Sequence, residues 1–146
     1  MILKICSFLQ LDYQMKYMLL ESYILLAWAR YRKGKKFSEI SPDLGCRMKE
    51  TSFQLSDEEM KTVKVVSYAI HVASRYTFWE SECLVKAIAG MKMLEKRGIE
   101  STMYLGVAKD EKGLSAHAWL RSGGFYVSGS EGMEKFTVVE KFAKFI

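Results

Sequence analysis

Two residues in this 146-residue chain have the types and settings that nucleophilic chemistry requires. Cys83 follows Trp79-Glu80-Ser81-Glu82 and precedes Leu84, where an amphipathic helix is expected to begin. His117 lies in Ser115-Ala116-His117-Ala118-Trp119, part of an alternating strand pattern. A helix N-terminus offers unpaired backbone N–H groups and the positive end of the helix dipole, and both stabilise an anion. A thiolate there is a nucleophile; an imidazole can take the thiol proton and later return it to a leaving group. The same N–H groups can hold the oxyanion of a tetrahedral intermediate. Glu80 and Glu82 oppose this if their side chains turn toward the sulfur. The bland reading stands beside it: a lone cysteine usually packs as a small hydrophobe, and a strand histidine can simply lie beside Trp119. Spacing alone does not separate the two.

The remaining chemistry-bearing residues point to less. His71 lies next to a helix face with no acid or cysteine at useful spacing, and reads as a packed helical histidine. The cysteines, Cys6, Cys46 and Cys83, are odd in number and irregular in spacing, so no disulfide framework is expected. Without a CxxC pair and with only two histidines, no metal site and no cofactor are expected. A reducing cytoplasm fits that cysteine usage.

The elements that position Cys83 and His117 are legible from periodicity. Residues 14–33 read as a long helix, with Met15, Met18, Leu19, Ser22, Leu25, Leu26 and Ala29 at helical spacing and Gly34 as the stop. Its other side is also apolar, so burial is expected, with a protein-docking face as the alternative. Residues 35–55 read as an irregular stretch inside one domain, with Ser41-Pro42-Asp43-Leu44-Gly45 as a turn. Ser56-Asp57-Glu58-Glu59 is a capping box opening a helix to about Ser74. Ser81 is the expected N-cap of the next helix, which would place Cys83 second; Leu84, Ala87, Ile88, Met91 and Leu94 form its buried stripe and Gly98 ends it. The period then changes to two. Strands are expected at 102–107, 114–121, 125–128 and 136–139, with turns at Asp110-Glu111-Lys112-Gly113 and Ser122-Gly123-Gly124, and a short amphipathic helix at 140–146. Helices first and antiparallel strands after predict an α+β fold in a single domain over 1–146, with a helical and irregular part at 1–55 and the core carrying the site at 56–146.

Composition sets outer limits. Apolar residues make up 49% and charged residues 27%, which excludes a disordered chain. The net charge of +5 is spread out except at residues 30–36, and no nucleic-acid-binding motif accompanies it, so a nucleic-acid partner is not expected. The apolar run at 1–11 is too short for a spanning helix and lacks a small-residue cleavage site. Asp12, Lys16 and Glu21 then interrupt the pattern, so a soluble protein without membrane contact is expected.

Four blocks taken together are more specific. Arg75-Tyr76-Thr77-Phe78-Trp79-Glu80-Ser81-Glu82-Cys83-Leu84, Lys96-Arg97-Gly98-Ile99, Tyr104-Leu105-Gly106-Val107 and Ser115-Ala116-His117-Ala118-Trp119-Leu120 resemble the transglutaminase-like leader peptidases of lasso-peptide biosynthesis. The resemblance covers the C-terminal two-thirds and implies a transglutaminase/papain-like core. It implies a cysteine peptidase that removes the leader from a ribosomally made precursor peptide, with Cys83 as nucleophile and His117 as general base and acid. Cleavage would hand a free core N-terminus to a separate macrolactam synthetase. The family pattern places an acid on the strand after the histidine, to orient the ring. Here that strand reads Phe125-Tyr126-Val127-Ser128-Gly129-Ser130-Glu131. Glu131 is the nearest carboxylate and the candidate third residue; Ser128, Ser130 or a backbone carbonyl are the alternatives. With no leader-binding domain expected before the first helix, the resemblance implies a separate leader-binding protein, for which the first helix and residues 30–36 are candidate docking surfaces. A transglutaminase-type acyltransferase or amidase, and a non-catalytic peptide-binding scaffold, are the other readings.

Overall fold

A computed structural model describes the backbone of residues 2–146 and the side chains of residues 6–146. The order is α1 (Ile2–Leu9), α2 (Tyr13–Lys33), α3 (Phe37–Ile40), a 3-10 turn (Ser41–Leu44), β1 (Cys46–Arg47), α4 (Asp57–Ser74) and α5 (Cys83–Glu95). Then come β2 (Ser101–Asp110), β3 (Gly113–Ser122), β4 (Phe125–Ser128), a second 3-10 turn (Met133–Lys135) and β5 (Thr137–Lys144). The fold is α+β. Helices α4 and α5 lie against the sheet, α2 packs across α4 and α5, and the strands form a five-stranded antiparallel sheet in the order β1-β5-β2-β3-β4.

Local sequence explains most boundaries. Asp12 caps α2 by accepting from the Met15 N–H, and Ser56 and Glu59 complete a reciprocal capping box at α4. Gly113 and Gly123 hold left-handed φ values of 114° and 57° in the two hairpin turns, where a side chain would be strained. Met103 and Leu105 of β2, Ala118 and Leu120 of β3, Val127 of β4 and Phe142 of β5 meet the apolar face of α5 and α4. Gly90 of α5 lets the helix sit close on the sheet: a Cβ there would lie 2.8 Å from Leu120 Cδ2.

Three expectations are corrected. The last strand and the short C-terminal helix are one strand, because β5 pairs along β2 and puts Phe142 into the core. A seven-residue helix with no cap could not match that pairing. The irregular stretch holds α3 and the edge strand β1, which pairs with β5 at Cys46 and Arg47. The long helix α2 is not buried all round. Met18, Ser22, Leu26 and Ala29 face inward, while Tyr13, Tyr17, Leu20, Ile24 and Tyr31 form an exposed stripe. Among the described residues, no helix is long and apolar enough to cross a membrane.

The outer face of the sheet is partly closed by residues 50–53. Arg121, 1% exposed, donates to the Tyr104 hydroxyl, to the carbonyls of Thr51 and Ser52, and to that of Gly123. The Phe53 ring lies 3.7 Å from its guanidinium carbon. Alternation placed Arg121 on the His117 face, but no sequence pattern signalled that it would be buried.

Candidate functional site

The loop before α5 sets where the helix begins. The Thr77 hydroxyl lies 2.8 Å from that of Ser81 and also bonds the Ser74 and Trp79 carbonyls. Ser81 is therefore not the N-cap. Glu82 is, and its side chain does not cap the helix, so Cys83 is the first helical residue rather than the second. The first turn of α5 keeps its N–H groups free of a side-chain cap, unlike those of α2 and α4. Cys83 is a free, half-buried thiol packed against the core. Glu82 turns to Lys33 at 2.8 Å, and that ammonium holds its carboxyl below the usual carboxylate range. Its charge is thereby paired at the mouth of the helix. Trp79 braces the loop edge-on against Tyr23, ring centroids 5.0 Å apart.

His117 projects from the outer face of β3. Its ring lies against Trp119 and Phe136, with centroids 5.7 and 5.0 Å away. Nε2 is 2.6 Å from the Gly129 carbonyl oxygen. A carbonyl only accepts, so Nε2 carries the proton and Nδ1 keeps a lone pair, which makes Nδ1 the basic atom. Gly129 sits at φ 75°, and a Cβ on it would lie 2.4 Å from the Ala118 carbonyl oxygen. Only glycine fits the position that delivers this acceptor. Glu131 is exposed and makes no hydrogen bond or ion pair among the described residues. Ser130 is exposed, while Ser128 is buried with its hydroxyl unpartnered among the described residues. The ring's partner is thus a backbone carbonyl. The sequence leaves a backbone carbonyl as an alternative but does not single out Gly129, because a carbonyl belongs to every residue; the signal is a glycine just past the strand that returns beside His117.

The elements that carry Cys83 and His117 run in the same direction. A short connection reverses the chain between α5 and β2, and β3 is antiparallel to β2, so α5 and β3 run the same way. Gly90 abuts Leu120. Cys83 lies seven residues before Gly90, about 10 Å along a helix axis. His117 lies three residues before Leu120, about 10 Å along a strand. Cys83 and His117 are thus each about 10 Å along their own element from the Gly90–Leu120 contact. They approach from different sides, because Leu120 faces α5 and alternation turns His117 to the opposite face. No hydrogen bond joins Cys83 to His117.

The other candidates stay structural. His71 is an exposed helical residue whose Nδ1 lies 2.7 Å from the Ser67 carbonyl oxygen. Among the described residues, no three His, Cys, Asp or Glu side chains gather as a metal site.

The model of the transglutaminase-like superfamily matches residues 25–141, four-fifths of the chain, a span that includes Cys83 and His117. The chain belongs to that superfamily. No curated protein and no solved structure matches it. The matched span of this transglutaminase-like chain starts within α2 and ends within β5, so it takes in the helix layer as well as the sheet.

Proposed function

We propose that this transglutaminase-like protein is a cysteine peptidase that removes the leader from a lasso-peptide precursor. The observation that carries the reading is the oriented imidazole. His117 is held through Nε2, with Nδ1 left basic, at the end of the sheet where α5 begins with Cys83. In this reading the two side chains meet around the end of the sheet when the peptide is bound, and Nδ1 takes the thiol proton as the sulfur attacks the scissile carbonyl. The first-turn N–H groups of α5 receive the oxyanion. When the tetrahedral adduct collapses, the C–N bond breaks and the imidazolium protonates the departing amine, which is the new core N-terminus. Nδ1 then takes a proton from water. The hydroxide attacks the thioester, and the leader carboxylate and the thiol are released.

The test is mass spectrometry of a synthetic precursor peptide after incubation with wild type, Cys83→Ala and His117→Ala. Release of a leader fragment by the wild type alone is the expected result. Equal cleavage by all three removes the assignment. Supplying a primary amine decides the acceptor: a hydrolysed leader supports the peptidase, and an amide adduct supports an acyltransferase.

We assign the exposed α2 stripe and the adjoining basic residues to a separate leader-binding protein. Tyr13, Tyr17, Leu20, Ile24 and Tyr31 recur at helical spacing on solvent-exposed surface. The combined variant Tyr17→Ser and Ile24→Ser should abolish co-purification with that partner and leave the melting temperature unchanged. Undiminished co-purification would count against this surface.

A further inference from the structure

The two edges of β3 are unequally used. β2 pairs with it from Gly113 to Arg121, whereas β4 pairs with it only from Leu120 to Ser122. The chain then leaves that edge, turning at Gly129 and passing through the second 3-10 turn to β5. Among the described residues, 113–117 therefore keep one edge without a strand partner, and all five are exposed or half-buried. Exposed edges are normally guarded by charge, proline or a bulge, because unpaired N–H and C=O groups recruit another strand. This edge reads Gly113-Leu114-Ser115-Ala116-His117, with no Asp, Glu, Lys, Arg or proline. It ends at His117, the histidine of the candidate site.

We infer that this edge is the substrate-binding strand: an extended segment of the precursor peptide adds to β3 as a sixth strand beside residues 113–117. This rests on the peptidase reading and names how its substrate is held. Main-chain pairing supplies the affinity, and the scissile amide comes to lie beside His117. The free stretch spans about 16 Å, which suits a short peptide segment. That is a narrow seam for a second copy of this chain, since Gly129 and β4 close the edge beyond it. Ser115, Ala116 and Ala118 are small, so the strand recognises extended backbone more than side chains. Leu114, 76% exposed, is the one large apolar side chain offered to the peptide.

The test is amide hydrogen exchange followed by NMR on Cys83→Ala, with a synthetic lasso-precursor peptide that spans the leader–core junction. Saturating peptide should slow the outward-facing amides of residues 113–118 at least tenfold and leave α4 unchanged. Binding without slowing there, or no binding, overturns the inference. So does slowing produced by raising protein concentration alone, which would mark an edge between two copies. With wild type, single N-methylation along the peptide should lower kcat/KM at alternate residues only; uniform tolerance overturns strand pairing. Failure of the peptidase reading shows differently: the edge is protected, but the wild type releases no leader fragment.

Discussion

At the scale of single residues, the imidazole is oriented by a backbone carbonyl rather than by a carboxylate. An acid would add charge to the imidazolium that forms during catalysis; a carbonyl supplies direction and tautomer with a dipole only. The proposed chemistry therefore depends on Gly129 staying where it is. Gly129→Ala forces a Cβ to within 2.4 Å of the Ala118 carbonyl oxygen and must displace the acceptor. Leader release should fall about a hundredfold, the cost of misplacing a catalytic group by roughly 1 Å. Gly132→Ala is the control. Gly132 has nearly the same φ, 76°, but a Cβ there meets nothing within 4 Å. It carries the backbone strain without moving the ring's partner, and should keep most of the activity. Equal loss in both variants would mean that loop strain, not the carbonyl, matters.

At the scale of elements, the start of α5 is prepared by its neighbour α2. Lys33, the last residue of α2, pairs with Glu82 beside Cys83. Removing the cation leaves an unpaired carboxylate next to the sulfur, which works against a developing thiolate. Lys33→Ala should slow iodoacetamide labelling of Cys83 a few-fold, and Glu82→Gln should speed it; identical rates would show that the pair is only a surface contact. On the sheet, the Arg121 clamp fixes residues 51–53 over the face that bears Trp119 and His117. Tyr104 shares that network, and burial together with the bond to Glu50 pushes its hydroxyl up to about 12. Arg121→Leu leaves buried carbonyls without donors, at a cost of about 3 kcal/mol. A lower urea midpoint with an unchanged slope is the expected signature.

At the scale of the whole molecule, the helix layer is tied together around one buried acid. Glu21 of α2, 7% exposed, receives Arg97 and Lys96 from just past the end of α5. Burial raises its pKa, but the bonds from Arg97 and Lys96 outweigh that and hold it below the ordinary 4.5. A depressed carboxylate contributes stability above its unfolded value, and that stability is lost as pH falls through the folded value. Wild type should therefore lose melting temperature below about pH 4.5. Glu21→Gln should begin lower, by roughly 1–3 kcal/mol at neutral pH, and lose less on acidification. Parallel pH profiles for the two proteins would rule out this linkage.

Much of the molecule was written in local sequence. The α4 capping box, the helical period of α5, the two glycine hairpins and the alternation of β3 each depend on residues only a few positions apart, so they could be read in order. Cys83 and His117 stand out in the sequence as candidates because each carries its chemistry in its own side chain. Three features needed the tertiary structure, because each joins residues distant in the chain. The Gly129 carbonyl meets His117 only through the path taken after β4. The burial of Arg121 depends on residues 51–53 folding across the sheet. The C-terminal residues become a strand because β2 and β1 lie ready to pair with them, and no periodicity within seven residues records a partner that far away.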